Sequence, residues 1–333
     1  MDALAGFLNG PRARGAFLLR TVMDPPWSLR IRDEAPLAVA AAVRGHAWVV
    51  HDDETPSQLR PGDVALFRGP DHYTVADSPD TPPQVIIHPG QVCTTIEGVS
   101  VADSMSQGVR TWGNAATGGT VLLTGTYDGE GEISHRLVGA LPRLVVLRSG
   151  EWDCPFVPLL AEEIGKDYIG QEAVLDRLLD LLVVAALRTW FAREDAPAWF
   201  RAHTDPVVGH ALRLLHNNPA YPWTVASLAA EVAVSRAALA RRFTDLVGES
   251  PMAFLTGWRL ALAADLLLEP DATVGSVARR VGYSSPFTFS TAFKRHYGTS
   301  PQGHRRRAAA AASLVLDVPM SSRPPGRHSV LEH

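Results

Sequence analysis

The segment GYSSPFTFSTAFKRHYGTSP, residues 282–301, combines short hydroxyl side chains with basic side chains at helical spacing. Its aromatic residues Phe289 and Phe293 lie four positions apart and therefore share one face of a predicted helix. The opposite face carries Thr288 and Thr291 and ends in a basic turn. Hydroxyl groups donate and accept hydrogen bonds, and cations attract phosphates. This pattern favours recognition of a nucleic acid over catalysis.

This segment is the second copy of an internal repeat. Residues 224–251 align with residues 273–301 when one residue is inserted at the turn. Ten aligned positions carry the same residue in both copies: Thr224 and Thr273, Val225 and Val274, Ser227 and Ser276, Ala229 and Ala278, Val232 and Val281, Ser235 and Ser285, Phe243 and Phe293, Gly248 and Gly298, Ser250 and Ser300, Pro251 and Pro301. Matches spread over the whole unit indicate a duplicated structural element.

Each copy is predicted to be a short helix, a tight turn and a second helix. Threonine and serine residues stand where N-caps are needed, and Pro286 then occupies a first helical position, where a missing N–H costs nothing. Gly282 suits the turn because glycine adopts a positive φ without strain. Gly248 and Gly298 are expected to end the second helices. The segment between the copies, residues 250–270, is predicted to be one apolar helix that holds the two copies apart.

The charge of the chain is divided between its two parts. Residues 207–307 contain 12 Lys and Arg against 6 Asp and Glu, a net charge of +6, and the remainder carries 19 against 29, a net charge of −10. A basic module joined to an acidic one predicts that only the basic module meets a polyanion. The protein contains 2 cysteines among 333 residues. Two thiols are too few for a disulfide framework or a four-thiolate zinc site.

Residues 207–307 resemble the DNA-binding domain of the AraC/XylS family of transcriptional regulators. The resemblance rests on the duplicated helix-turn-helix, on Trp258-Arg259-Leu260 in the central helix, and on the segment 282–301. The chain departs from the family pattern in QGHRRR, where His304 precedes the arginines, and we expect an effect on local packing. By position, the resemblance implies that the DNA-contacting residues are Ser235, Arg236, Ala237, Ala240, Arg241, Arg242, Ser285, Pro286, Phe287, Thr288, Ser290, Thr291, Lys294 and Arg295.

These residues divide into two predicted roles. Arg241 is the candidate for a bidentate contact to guanine, with a phosphate clamp as the alternative. Arg242, Lys294 and Arg295 are expected to contact the phosphate backbone, which positions a protein without specifying sequence.

The residue pattern of the first 150 residues is typical of an all-β domain. Short apolar runs alternate with Gly, Pro and Asp, a pattern typical of a sandwich or small barrel. The stretch 59–72, LRPGDVALFRGPDH, resembles a signature of the cupin barrel. That resemblance implies a cavity for a small-molecule effector, with His72 as a candidate pocket residue. His46 and His51 do not form the His-x-His of cupin metal sites, so we expect neither a metal nor another cofactor.

The predicted fold class is multi-domain α+β: an N-terminal cupin-like barrel, a helical linker and dimerisation segment, and a C-terminal all-α tandem helix-turn-helix domain. The expected boundaries are 1–160 for the sensor, 161–206 for the helical segment, 207–307 for the DNA-binding domain and 308–333 for a flexible tail. The tail ends in LEH, which resembles a vector scar. Residues 171–194 are predicted to be a helix whose apolar stripe is broad enough to cover the barrel and also to form a homodimer.

The sequence therefore predicts a sequence-specific transcriptional regulator, not an enzyme, that binds double-stranded DNA as a homodimer under the control of a small molecule. The resemblance also implies transcriptional activation and contact with RNA polymerase, although the residues leave open whether transcription rises or falls. No membrane span or secretory signal is evident, so we expect a cytoplasmic location. Two alternatives stay open: a cupin oxygenase or isomerase fused to a DNA-binding module, and a redox-sensing regulator that uses Cys93 and Cys154.

Overall fold

The β-rich half of the chain precedes a series of helices. The structure, a computed structural model, describes residues 17–127, 138–139, 141–193 and 202–307. Within these residues the strands are β1 (Phe17–Met23), β2 (Ser28–Ile31), β3 (Leu37–Arg44), β4 (Ala47–Val50), β5 (Ser57–Leu59), β6 (Val64–Arg68), β7 (Tyr73–Ala76), β8 (Val85–His88), β9 (Val92–Thr95), β10 (Ser106–Gly108), β11 (Thr111–Trp112), β12 (Thr120–Tyr127) and β13 (Leu144–Leu147).

The strands form two separate sheets. The larger sheet has the order β10-β11-β1-β12-β3-β6-β13, and the smaller has the order β5-β4-β7-β2-β8-β9. The turn at Gly45, with φ +71°, passes the chain from β3 in the larger sheet to β4 in the smaller. Among the described strands no ladder joins the two sheets. The predicted all-β domain is confirmed, but the expected closed barrel is instead a sandwich, because backbone pairing stops at the sheet edges and side chains fill the space between them.

Strand β3, in the middle of the larger sheet, is buried on both faces. Its Ala38 and Ala40 pack between the two sheets, in one core with Trp27, which directly precedes β2 of the smaller sheet. Its Leu37 and Val39 point the other way, into a second core shared with two helices. Alternation of side chains along a strand explains how one strand serves both cores. These helices are α1 (Phe156–Glu163) and α2 (Gln171–Phe191).

Helix α2 covers the larger sheet at close range. A Cβ at Gly125 of β12 would lie 2.8 Å from a methyl carbon of Leu179, so a larger residue there would require the Leu179 side chain to shift. Leu182 is 1% exposed and belongs to the same core. The predicted helix is therefore confirmed over Gln171–Phe191, and one of its faces packs on the sandwich. No helix within the described ranges is long and apolar enough to cross a membrane.

The C-terminal part of the described chain is helical. Its helices are α3 (Val208–Asn217), α4 (Val225–Glu231), α5 (Arg236–Val247), α6 (Pro251–Leu266), α7 (Val274–Arg280) and α8 (Pro286–Tyr297). Residues 301–307 form a final helical stretch. The core of the first helices also contains Ala202, from a short 3₁₀ turn at Ala202–Thr204 that lies inside the predicted linker. The predicted tail, 308–333, and residues 194–201 of the linker lie outside the described residues.

Candidate nucleic-acid interface

The first helix of each repeat begins with the same capping box. The Thr224 hydroxyl accepts a hydrogen bond from the Ser227 amide, and the Ser227 hydroxyl accepts one from the Thr224 amide, both at 3.0 Å. Thr273 and Ser276 repeat this arrangement at the start of α7, also at 3.0 Å. A reciprocal cap satisfies two of the amide groups that a helix start leaves unpaired. The predicted threonine N-caps are confirmed.

The turn between the two helices takes the same backbone shape in both copies with different residues. Gly282 has φ +85°, and a Cβ there would lie 2.7 Å from the Ala220 Cα, so this position requires glycine. The equivalent residue of the first copy, Ala233, has φ +55°. A left-handed conformation is unfavourable for a residue with a Cβ, and the first turn is therefore the more strained one.

The second helix of each repeat, α5 or α8, is hereafter called a reading helix. The Ser235 hydroxyl accepts from the Ala238 amide at 3.2 Å, and the Ser285 hydroxyl accepts from the Thr288 amide at 3.1 Å. Both helices end at a glycine in the left-handed conformation, with φ +88° at Gly248 and φ +69° at Gly298. The predicted serine caps and glycine stops are confirmed, and Pro286 begins α8 as expected.

Buried aromatic and aliphatic residues fix the orientation of the reading helices. Leu239 and Phe243 anchor α5, and Phe289 and Phe293 anchor α8; all four are fully buried. The His304 ring lies against Phe293, with centroids 5.6 Å apart. His304 therefore packs against an anchor of α8, and the expected effect of this departure from the family pattern stays a prediction. Because these residues hold one face of each helix inward, the opposite faces point outward.

The outward face of α5 carries arginine and alanine. Arg236, Ala237 and Arg241 are exposed, and Ala240 is half-buried. These are residues expected to contact DNA, and the structure leaves them accessible. Their roles stay predictions.

Arg242 also lies on α5 but is already engaged. Its Nε and Nη2 atoms donate to Oδ2 of Asp205 at 3.0 and 2.6 Å. The other oxygen of Asp205 accepts from the amides of Val207 and Val208 at the start of α3. Burial raises the pKa of Asp205, but these hydrogen bonds and the guanidinium charge outweigh burial and leave that pKa lowered. A phosphate contact by Arg242 would therefore compete with this ion pair.

The outward face of α8 has a different composition. Exposed residues on this helix are Pro286, Phe287, Thr288, Thr291, Lys294, Arg295 and His296, and Ser290 is half-buried. The Thr288 and Ser285 hydroxyl oxygens lie 2.9 Å apart, so the hydroxyl groups share a hydrogen bond. The two cations follow in the last turn. This face offers hydroxyl and apolar groups first and positive charge at its end.

Helix α6 connects the two repeats by contributing side chains to the separate core of each. Leu255, near its start, packs with α3, α4 and α5, and Leu260 packs with α7 and α8. Arg259 donates to the carbonyl oxygens of Pro219 and Tyr221 at 2.7 and 2.8 Å. Desolvation lowers the pKa of this arginine. At about 1.5 Å per residue, the 16 residues of α6 extend about 24 Å. Both ends are thus fixed to a repeat, and the spacing between repeats is set by packing.

The candidate effector and redox residues lie apart from one another. His72 is exposed and precedes β7. Cys93 is half-buried next to the core between the sheets, and Cys154 is half-buried next to the core under α1 and α2. Burial raises the pKa of Cys93 to about 11 and also raises the pKa of Cys154. At Cys154, burial outweighs the hydrogen bonds from the amides of Phe156 and Val157, which act to lower the pKa.

A cleft of about 1130 Å³ lies where α2 passes the edge strand β13. Its walls include Trp152, Arg188 and Thr189. Two further wall residues, Arg193 and Glu151, form an ion pair. The cleft is lined by both the sandwich and the helix that covers it. Among the described residues, no three His, Cys, Asp or Glu side chains cluster as a metal site.

Sequence reasoning missed two features of this interface. The ion pair between Asp205 and Arg242 joins residues 37 apart, and only tertiary structure brings them together. The positive φ of Ala233 also went unnoticed, although its alignment with Gly282 in the repeat was the signal that could have revealed it.

Comparison with known proteins matches both halves of the chain. Residues 2–192 match the Cupin family, and residues 228–307 match a helix-turn-helix domain family. A putative AraC-like transcription regulator of Streptomyces lividans is 30% identical over 316 residues, covering 92% of this chain and 98% of the relative. The HTH-type transcriptional regulator AlkR of Acinetobacter baylyi is 27% identical over 316 residues, covering 92% and 100%.

A search of solved structures finds similarity over part of this chain. One similar structure is the DNA-binding domain of AdpA, described as a global transcriptional factor in complex with a target DNA. It is 32% identical, and the match covers 33% of this chain and 97% of that chain, with a TM-score of 0.31.

Proposed function

We infer the roles of the helices and of the β-sandwich from one premise: the chain belongs to the AraC-like transcription regulators and is a DNA-binding regulator of transcription. We propose that α5 and α8 enter successive major grooves of double-stranded DNA. We further propose that the protein acts as a homodimer and that its β-sandwich half senses a small molecule. The observation that carries the proposal is the repetition of a capped, glycine-terminated helix with a buried aromatic anchor and an accessible outer face.

The reading helices suit this role by shape and by chemistry. A helix held at one face by buried anchors presents its other face, and its start, to a groove and its phosphates. Successive major grooves on one side of B-DNA are about 34 Å apart. A rigid α6 of about 24 Å, with a repeat packed at each end, is compatible with two readers on one side of the duplex.

Arg241 is the proposed base-reading residue of α5. It is exposed, and no ion pair engages it among the described residues. A guanidinium that is free in this way can donate two parallel hydrogen bonds to guanine. Arg242, Lys294 and Arg295 are proposed to bind phosphates, which for Arg242 competes with its ion pair to Asp205. Arg236 is proposed to contact DNA, and the hydroxyl groups of α8 are proposed to contact base edges.

The proposed roles separate in a binding experiment. Arg241→Ala should cost on the order of 1–3 kcal/mol on the preferred site and relax the preference at one base pair. Lys294→Ala should weaken binding to all sequences about equally and reduce the salt slope by about one. DNA titrations of the full chain at several salt concentrations, on preferred and scrambled duplexes, measure both effects. An equal loss on every sequence for Arg241→Ala would assign that side chain to phosphate binding.

The homodimer is proposed to form through the outer side of α2. Val174, Leu178, Leu181 and Ala185 recur at spacings of four, three and four residues, which defines a straight apolar line called the outer seam. Val174 is 44% exposed and Leu181 is 48% exposed. A seam of this spacing is the surface along which two helices pack. Leu182, the next residue after Leu181, belongs to the inner face.

The effector is proposed to act through α2. The cleft beside β13 supports this proposal, because its walls combine sandwich residues with Ala185 and Arg188 of α2. A molecule bound there would contact the helix that carries the outer seam. His72 stays a candidate pocket residue from the cupin resemblance, although its exposed position lies outside the walls of this cleft.

We propose that the sandwich has no enzymatic role and that the protein works in the cytoplasm, where its DNA target lies. Activation of transcription and contact with RNA polymerase are proposed on the family resemblance. The oxygenase or isomerase alternative has a direct test in metal analysis of the purified full chain: stoichiometric iron would revive it. The redox alternative is disfavoured by the raised pKa of both thiols, since oxidants react with thiolates.

A further inference from the structure

The two reading helices carry different chemistry at equivalent positions. In the repeat, Ala237 of α5 aligns with Phe287 of α8, and Arg241 aligns with Thr291. The first two turns of α5 therefore carry cations on their outer face, whereas the outer face of α8 has no cation before Lys294. The residues of α8 that lie nearest the helix start are one proline, one phenylalanine and hydroxyl residues.

Phe287 is the most distinctive of these residues. Its side chain is 82% exposed, in the first turn of a helix whose other two phenylalanines are fully buried. An isolated exposed apolar residue is ordinary on a protein surface. Here it lies on the accessible face of a reading helix, beside Pro286 and Thr288, which are also exposed. Burial of this ring on binding would be favourable, because it removes apolar surface from water.

The floor of the major groove has one apolar group that can meet such a ring. Each base pair presents donors and acceptors there, but only thymine adds a methyl group. A phenylalanine can form no hydrogen bond with a base edge, and the two neighbouring hydroxyl groups of Ser285 and Thr288 are bonded to each other. The chemistry at the start of α8 therefore matches a thymine methyl better than any polar edge.

We propose that Phe287 contacts a thymine methyl and that the DNA subsite of α8 is specified by A·T pairs, in contrast to the guanine-directed subsite of α5. This inference rests on the proposed function, because it requires α8 to lie in the major groove. It assigns opposite base preferences to the two halves of one binding site. The site is therefore directional: the chain binds it in one orientation along the duplex.

The test uses the full chain and a duplex selected for tight binding from a random pool. Each thymine of the site is replaced in turn by deoxyuridine, which lacks only the methyl group. Loss of one buried methyl-sized group corresponds to a fall in affinity of roughly fourfold. We expect this fall at one or two thymines with the unaltered protein, and we expect Phe287→Ala to abolish the deoxyuridine effect at those positions.

Arg241→Ala is the matched control, because it alters the other reading helix. It should lower affinity while leaving the deoxyuridine effect assigned to Phe287 unchanged. Thermal unfolding of Phe287→Ala should match that of the unaltered chain, since the side chain is exposed, and this excludes loss of fold as the cause.

The outcomes separate this inference from the proposed function. A deoxyuridine effect that persists unchanged in Phe287→Ala, or that is absent at every thymine, would overturn the thymine contact. If Arg241→Ala nevertheless weakens binding in a sequence-dependent way, the major-groove function stands without it. If neither substitution changes binding to any duplex, the assignment of α5 and α8 as reading helices is itself wrong.

Discussion

Adjacent leucines on α2 provide a sharp test of the proposed dimer. Leu181 is 48% exposed on the outer seam, and Leu182 is 1% exposed on the inner face. Both can be replaced by alanine, so the two variants differ only in the face that is altered. Leu181→Ala should leave the stability of the single chain within about 0.5 kcal/mol of its original value. Leu182→Ala should lower that stability by about 2–5 kcal/mol, since it opens a cavity in the core under α2.

The expected loss of dimer affinity follows from the exposed fraction of Leu181. Full burial of a leucine contributes about 1.5–3 kcal/mol, and about half of this side chain is already buried in the single chain. Burial of the rest should contribute about 1 kcal/mol per chain, or about 2 kcal/mol for a symmetric pair. That is a weakening of roughly thirtyfold in the dimer dissociation constant.

Sedimentation over a range of protein concentrations measures the dimer, and denaturant unfolding measures the stability of the chain. If Leu181→Ala leaves self-association unchanged, the outer seam is not the dimer contact. If it destabilises the chain as much as Leu182→Ala does, the two faces of α2 have been assigned wrongly. DNA titrations of the same variants measure whether their affinity for duplexes with two sites falls, as expected when the second chain of the dimer is lost.

Two further predictions concern the turn of the first repeat and the buried thiol. Ala233→Gly should stabilise the C-terminal helices by about 0.5–1 kcal/mol in denaturant unfolding, because relief of the left-handed strain exceeds the added entropy of the unfolded chain. Ala240→Gly, within helix α5, is the control and should destabilise by a similar amount; stabilisation in both would contradict the strain at Ala233. Alkylation of Cys93 should be slow at pH 7 and should rise about tenfold per pH unit up to pH 9, because only the thiolate reacts and burial raises its pKa to about 11. A plateau near pH 8, in peptide mass mapping after iodoacetamide treatment, would indicate an unperturbed thiol.

Local signals in the sequence predicted the helical domain to the level of single caps. Thr224, Thr273, Ser235 and Ser285 lie at helix starts because a side-chain oxygen there satisfies amides that the helix leaves free, a rule that needs no tertiary information. The duplication strengthened each assignment, because the same residue type stands at the equivalent position of both repeats. The glycine stops followed from the same local chemistry.

Features that depend on distant contacts were beyond the sequence. Leu181 and Leu182 are equally apolar in the sequence, and only the tertiary packing of α2, including the close approach of Leu179 to Gly125, shows which side faces the sheet. The division of the β-domain into two sheets depends on where ladders stop, which the alternation of apolar residues does not encode. The roles of the predicted DNA contacts, including Arg241 and Phe287, remain predictions for the experiments above.

The ion pair of Asp205 with Arg242 gives the two reading helices unequal relations to the rest of the chain. One carboxyl group both caps α3 and neutralises a cation of α5, so a displacement of α3's first turn would also change the charge that α5 presents. Lys294 and Arg295 of α8 have no ion pair among the described residues, and Phe289 and Phe293 pack this helix into the core of the second repeat. A displacement of the linker that contains Asp205 can therefore change the net charge that α5 presents to DNA. The same displacement can change the position of α8 but not its charge.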